Sequence, residues 1–294
     1  MKKQYLLLIL TFFLWGSIYV ACKYAYAYIP PLTCLALKYI LALVFFIPLA
    51  VRKGIRKVQK GHWKYFLFFG IAGYAIGVGM VMVATDVMDA TLAALINAMM
   101  PVAISVLAAI MLHEKLTKFT IIGLVLSIIG VIIVLGIFNG GSTVTLLGMI
   151  LSIGGLLAWA FMSVMTRKIS NEYSSEQITL YSAVIAIPVC IIAAIVDFII
   201  NSRTVILNVP GIASILYIGI VCTGIGNVLW SQSLKKIEAS VCSAFYPLQP
   251  LSSAIFGIIL LKEQITVNFV IGAVLISIGI IISILGEKIF IRHN

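Results

Sequence analysis

Runs of about twenty mostly apolar residues recur along this chain, each closed by a cluster of charge or by turn-forming residues, and no other feature constrains the fold as much. At a rise of 1.5 Å per residue, such a run is long enough for a helix to cross the hydrocarbon layer of a bilayer. Charge clusters and turn residues place the segments near 5–25, 32–51, 64–85, 90–112, 119–138, 144–166, 177–200, 210–233, 239–261 and 267–288. Little of the 294 residues remains outside them, so the expected fold is an all-α membrane protein with ten transmembrane helices. Charged residues make up 10% of the chain and apolar ones 63%, far from the usage of soluble domains. The first segment lacks a small-residue cleavage site and runs straight into Lys23-Tyr24 and Pro30-Pro31, so it is expected to be helix one and not a removable signal.

The net charge of +11 raises the question of a nucleic-acid partner, and the distribution of the charge answers it. With the N-terminus placed in the cytoplasm, the inner side receives Lys2, Lys3, Arg52, Lys53, Arg56, Lys57, Lys60, Lys64, Lys115, Lys118, Arg167, Lys168, Lys235, Lys236, Lys288 and Arg292. Lys23 and Lys38 fall at or within helices near the outer side, and Arg203 and Lys262 in outer loops. This is the positive-inside pattern, which predicts both termini in the cytoplasm and no nucleic-acid partner. The five cysteines stand alone in apolar stretches, and only Cys22 and Cys34, both approaching the outer face, invite a disulfide.

Sliding the chain on itself by 149 residues aligns 70–133 with 219–282 without a gap, and 18 of the 64 positions are identical. The matches include Gly70 with Gly219, Gly77 with Gly226, Pro101 with Pro250, Glu114 with Glu263, Thr117 with Thr266, Gly123 with Gly272 and Gly130 with Gly279. Shared lipid solvation explains repeated Ile, Leu and Val, but not Pro, Glu and Gly together. Upstream, Trp15 recurs as Trp159 at an offset of 144, and Pro48 as Pro188 at 140. Residues 1–140 and 141–294 are therefore expected to be two five-helix copies. Five is odd, so the second copy enters the membrane from the opposite side. Inverted repeats of this kind can exchange conformations and so expose a central cavity to each side in turn.

The residues that recur also carry a family likeness. Leu14-Trp15-Gly16-Ser17, Ala36-Leu37-Lys38-Tyr39, and 90–101 leading to Glu114-Lys115-Leu116-Thr117 and Gly123 form its first half. Leu229-Trp230-Ser231-Gln232-Ser233-Leu234-Lys235-Lys236-Ile237, 250–263 and Gly272 form the second. In these the chain resembles the EamA-type branch of the drug/metabolite transporter superfamily, over nearly its whole length. The resemblance implies a ten-helix permease with helices one to four and six to nine around a central cavity, and helices five and ten as lateral supports. It also implies traffic in small metabolites, amino acids being common, often outward. The family's usual basic residue in helix two is Lys38 here in place of Arg, which changes the hydrogen-bond geometry available there.

Several residues are candidates for that traffic. Pro101 and Pro250 fall near the middle of helices four and nine, where each is expected to leave the carbonyl four residues earlier, at Asn97 and Tyr246, without its helical partner. Asn97, Tyr246, Gln249 and, on helix eight, Asn227 and Trp230 are too polar to face lipid and are expected inside, as substrate contacts or as interhelical hydrogen bonds. Lys38 lies inside helix two, to bind a substrate carboxylate or to snorkel to the outer surface. Trp15, Tyr19, Tyr74, Trp159 and Met162 suit the walls of a cavity, although core packing explains them as well. Glu114 and Glu263 open paired Glu-x-x-Thr strings where helices four and nine end, which reads as a structural link to helices five and ten. Gly123 with Gly130, and Gly272 with Gly279, give those two helices a face for close helix contact, as supports or as the surface of a homodimer.

No Asp or Glu lies near any helix centre, so a mid-membrane proton relay is not expected, and uniport or exchange is favoured over proton-coupled multidrug export. His62, His113 and His293 lie at loops or termini and cannot form a helical zinc pair, and no phosphate-binding GxxxxGK[ST] string occurs. No metal, cofactor or enzymatic activity is expected. The reading is a secondary transporter of a small metabolite in a bacterial cytoplasmic membrane, a monomer or homodimer; the rivals are a lipid scramblase, a membrane-embedded enzyme and a scaffold. Replacing Lys38 by Met is expected to abolish transport of an anionic or zwitterionic substrate in reconstituted liposomes, and undiminished flux by the folded variant would remove Lys38 from the mechanism.

Overall fold

The structure is a computed structural model and describes residues 2–87, 96–97, 99–114, 116–135, 146–201, 205–206, 208–261 and 267–293. Among these there are helices and connections but no strand. Helix α1 spans Lys2–Tyr26 and α2 Pro31–Lys53. Helix α3 (Trp63–Phe68) continues through a π-helical segment, Phe69–Gly77, into α4 (Val78–Val87). Then follow α5 (Met100–Leu112), α6 (Lys118–Leu135), α7 (Leu146–Ile169) and α8 (Ser175–Asn201). A second continuous rod joins α9 (Val209–Leu216), a π-helical segment Tyr217–Ile225, and α10 (Gly226–Lys236). Short α11 (Ala239–Ser243), α12 (Leu248–Leu261) and α13 (Val267–His293) complete the chain.

Six helical stretches among the described residues are long and apolar enough to cross a membrane: Gln4–Tyr26, Pro31–Lys53, Lys60–Ala84, Leu146–Ile169, Ser175–Ile200 and Val209–Lys236. Met100–Leu112, Lys118–Ile133 and Val270–Ser283 are apolar but shorter. Local chemistry sets several ends. Pro31 opens α2, where a missing N–H costs nothing, and Gly54 at φ +78° closes it. The Asn208 side chain caps α9 by accepting from Gly211 N at 2.8 Å. Thr117 caps α6 through its Oγ1, 3.1 Å from Thr120 N, as its sequence position predicts. Thr266 and Glu263 lie outside the described residues.

Helices α6 and α13 lie along one another and touch the rest of the chain mainly at α11 and α12. Their glycine faces meet. A Cβ added at Gly130 would stand 2.8 Å from the Gly272 carbonyl, and one at Gly123 would strike the Gly279 carbonyl and Ser283. The expected close-contact faces are thus used within one chain, and the outward sides of the pair expose Ile122, Val125, Val270 and Val274. Close backbone approach through small residues is what drives helix association where the surroundings are as apolar as the side chains.

Two sequence expectations need correction here. Pro101 and Pro250 do not kink the middle of long helices; each sits in the first turn of a helix that starts after a break, Pro101 in α5 and Pro250 in α12. The first turn has no intrahelical use for the missing N–H, so proline starts these helices and does not deform them. The Tyr246 carbonyl is not orphaned either, because the chain turns between α11 and α12 and Gln249 N donates to it at 2.9 Å. The Pro101 carbonyl accepts from Ser243 Oγ at 3.3 Å, so the two breaks face one another. All five cysteines are free.

Gly130→Leu is expected to destabilise the protein by about 1–3 kcal/mol through overpacking, lowering its melting temperature in detergent, while Val125→Ala on the exposed face of the same helix leaves it unchanged.

Candidate functional site

Between α1, α7, α10 and the turn after α11, aromatic side chains fill the interior. Trp15 lies 5.6 Å from Trp159 and 5.7 Å from Trp230, measured between ring centroids. Tyr246 lies 5.6 Å from Trp230, edge-on, and 4.7 Å from Phe12. From Trp159 the contacts continue to Tyr74, stacked at 6.1 Å, and from Tyr74 to Tyr39, stacked at 5.1 Å. Such offset and edge-on pairs use the ring quadrupoles and fix the relative positions of the helices that carry them. Five predicted residues, Trp15, Tyr74, Trp159, Trp230 and Tyr246, thus come together; Phe12 and Tyr39 join them unpredicted. Phe12 stands three residues before Trp15 on the same helical face, and Tyr39 ends the Ala36-Leu37-Lys38-Tyr39 string.

Several polar atoms in this centre are paired. Trp159 Nε1 donates to Tyr246 Oη. The Asn227 side chain lies near the Tyr74 phenol. Tyr39 Oη donates to the Tyr74 carbonyl at 3.1 Å, inside the first π-helical segment, and the Ser17 and Tyr217 hydroxyls are 2.8 Å apart at the start of the second. Trp230 is 2% exposed, and its Nε1 has no acceptor. A buried indole N–H without a partner is costly, and it offers a donor to an oxygen that enters the centre.

The remaining predicted residues fall around this core. Met162 is buried against Gly73, which leaves no room for a side chain at that glycine. Asn97 and Gln249 stay partly exposed, the first just ahead of α5 and the second in the first turn of α12. Lys38 sits with its Nζ 5.0 Å from the Tyr39 ring centroid, within electrostatic range of the Cys22, Cys34, Cys190 and Cys222 thiols. No carboxylate pairs with it among the described residues. The Tyr19 side chain lies outside what the structure describes, as does Glu263.

One end of the centre is sealed. Residues 239–248 are all buried. His113 adopts a left-handed conformation at φ 56°, ending α5 and directing Glu114 toward α11. There the Glu114 carboxylate accepts from Ala239 N at 3.0 Å, Ser240 N at 3.1 Å, Ser240 Oγ at 2.9 Å and Arg167 Nε at 3.2 Å. Arg167 also donates to the Leu234 carbonyl at the end of α10, at 2.6 Å. Glu114 therefore ties α5 to α7, α10 and α11, and not to α6 as its place in the sequence suggested. A carboxylate at the exposed N–H groups of a helix start, with a guanidinium beside it, is stabilised by charge-assisted bonds on both oxygens. Arg167 entered the sequence reading only as part of the positive-inside count.

A family model described as the EamA-like transporter family matches residues 2–136 and 146–285, and the chain belongs to that family. An uncharacterized transporter of Archaeoglobus fulgidus is 28% identical over 284 residues, which cover 95% of this chain and 98% of the relative. A protein of Salmonella typhimurium named as a probable amino-acid metabolite efflux pump is 26% identical over 98% of this chain and 97% of its own length. A solved crystal structure superposes with a TM-score of 0.84 at 18% identity, covering 98% of this chain and 99% of the other, which shows a shared fold. The family and these names indicate a membrane transporter and not an enzyme.

The Glu114 side chain is 7% exposed and that of Arg167 25%. Breaking a pair of this kind by Glu114→Gln is expected to cost about 2–4 kcal/mol, discounted for the open side of Arg167 and read as a lowered melting temperature. A stability equal to the parent's would show that the carboxylate is not what holds α5 to α11.

Proposed function

We propose that this chain is a secondary transporter that moves small metabolites, amino acids or related zwitterions, by alternating access, as an exporter or exchanger. It crosses the membrane ten times as two inverted five-helix copies, 1–140 and 141–294, with both termini in the cytoplasm of a bacterial cell. It works as a monomer, or as a homodimer through the outward faces of α6 and α13. The observation that carries this reading is the buried aromatic centre with an unpartnered Trp230 Nε1, set beside the charged Glu114 cluster.

Reciprocal packing of the two copies supports it. The π-helical segments fall within one residue of matching places in the 149-residue register. Gly70 of the first lies against Ser182 and Ile185 of α8, and Gly219 of the second against Lys38 and Leu41 of α2. Met162 of α7 packs on Gly73, while Ser17 of α1 lies 3.7 Å from Cys222. The family model matches the chain in two spans, 2–136 and 146–285, which agrees with two copies. Wide π-helical turns occur where helices serve function, and here each supplies a face of the centre.

In this reading the Glu114 cluster is the closed inner gate. The sequence repeats its parts: Glu263 for Glu114, Ala90 and Thr91 for Ala239 and Ser240 at 149 residues, and Lys23 for Arg167 at 144. Of these, 90–91 and Glu263 and the side chain of Lys23 lie outside the described residues. Substrate binds between the rings, its apolar part on the tryptophan faces and its carboxylate oxygen accepting from Trp230 Nε1. The efflux role named for the Salmonella relative agrees with that choice of substrate.

Liposomes reconstituted with the protein are expected to show saturable counterflow of at least one amino acid, and Trp230→Phe, which keeps the ring contacts but deletes the N–H, is expected to reduce its kcat/KM about tenfold or more. Lipid flipping without flux of any soluble metabolite would overturn the transport reading.

A further inference from the structure

Residues 52–64 carry Arg52, Lys53, Arg56, Lys57, Lys60 and Lys64 and no acidic residue. After Gly54 the chain runs without helix to Gln59, yet its path is pinned at several points. Arg56 N donates to Gln177 Oε1 at 3.1 Å, and Gln177 Nε2 returns a bond to the Arg56 carbonyl at 2.6 Å. Gln59 N donates to Tyr173 Oη at 3.1 Å, and buried Val58 holds the segment against the core between exposed Lys57 and Gln59. Gln177 is itself completely buried, so the anchor is rigid.

This pinned segment and the turn before α8 enclose an open cavity of about 270 Å³ lined by Arg56, Lys57, Gln59, Asn171, Glu172 and Tyr173. Its one carboxylate, Glu172, lies 3.2 Å from His62 Nδ1. Arg56 uses one N–H toward the Glu172 carbonyl at 3.3 Å. Neither Arg56 nor Lys57 has a carboxylate partner among the described residues. Two free cations therefore face a cup with polar walls, which suits an anion with several acceptor oxygens.

What surrounds the cup points to lipid as the source of that anion. Val44, Ile47 and Val51 form an exposed apolar stripe along α2 that leads directly to exposed Ile55, beside Arg56. Exposed Trp63 marks the same level at the start of α3, stacked on Tyr181. The cup thus opens where a headgroup lies when its acyl chains rest on an outward helix face, and its volume takes a phosphodiester with a small polar substituent but not an acyl chain. We infer that the Arg56–Lys57 cup binds the phosphodiester headgroup of an anionic phospholipid, with the acyl chains against the exposed face of α2. Basic pockets at the membrane surface hold such headgroups by charge and by hydrogen bonds together.

The inference rests on the membrane reading and not on transport, and it is tested by binding alone. The purified protein in neutral detergent is titrated with short-chain phosphatidylglycerol, with phosphatidylcholine of the same chain length, and with inorganic phosphate, following the melting temperature. Phosphatidylglycerol is expected to raise it saturably, less so as salt increases, phosphatidylcholine not at all, and phosphate only at concentrations at least tenfold higher. Lys57→Gln is expected to weaken phosphatidylglycerol about fivefold and Arg56→Gln with Lys57→Gln further, while Lys236→Gln leaves it unchanged. If the double variant does not fold, Lys57→Gln decides, because the Lys57 side chain makes no hydrogen bond or ion pair among the described residues. Equal responses to the two lipids, an unchanged affinity in Lys57→Gln, or phosphate acting as strongly as phosphatidylglycerol would each overturn the lipid assignment. None of these outcomes touches the flux measurement.

Discussion

A helix that starts in the buried interior of an apolar bundle must give its free N–H groups to some other part of the protein, and here those at the start of α11 go to Glu114. Main-chain carbonyls at the other irregular places also take side-chain donors from distant helices, that of Pro101 from Ser243 and that of Tyr74 from Tyr39. Water could have taken each of these bonds in a soluble protein. Without it, the cost of an unpaired group compels a side chain from another helix to be present. The same bonds that permit the breaks therefore join elements far apart in sequence, and they gather around one centre.

That centre combines two kinds of contact with different consequences for motion. Ring-on-ring packing among Phe12, Trp15, Trp159, Trp230 and Tyr246 is broad and tolerant of sliding, since each pair contributes only modestly beyond its burial. The Glu114 cluster is directional and charged, so it is either formed or broken. Under the proposed transport reading, a contact of the second kind beside a lining of the first lets the bundle change arrangement without its core being rebuilt. Lys38 stands at the far end of the ring series, on Tyr39, with no carboxylate paired to it among the described residues.

Much of this was legible in the chain. Most of the helix segments, the Thr117 cap, the glycine faces of α6 and α13, and the inward placement of Trp15, Tyr74, Trp159, Trp230 and Tyr246 follow from local pattern and from the exclusion of polar groups from lipid, whereas the single helix expected at 239–261 is broken by the turn between α11 and α12. Membership of the EamA-like family agrees with the strings that carried the resemblance. The prolines were misplaced because a proline in an apolar run is equally compatible with a kink and with a restart, and only the path of the neighbouring chain distinguishes them. Glu114 was assigned to the wrong neighbour because its next residues in sequence lead to α6, whereas its donors come from more than fifty and more than one hundred and twenty residues away.

The sequence by itself determined which stretches are helical and apolar, where turn and cap residues end them, and that its parts recur at a fixed register, because each of these depends on residues close along the chain or on composition. Only the tertiary structure decided which polar atom meets which: that Arg167 and α11 share one carboxylate, that Trp230 Nε1 is left without an acceptor, and that Arg56 and Lys57 rim a cup. Hydrogen bonds and charge pairs act over a few ångströms in space and carry no periodicity along the chain, so their partners become visible only once the helices are packed.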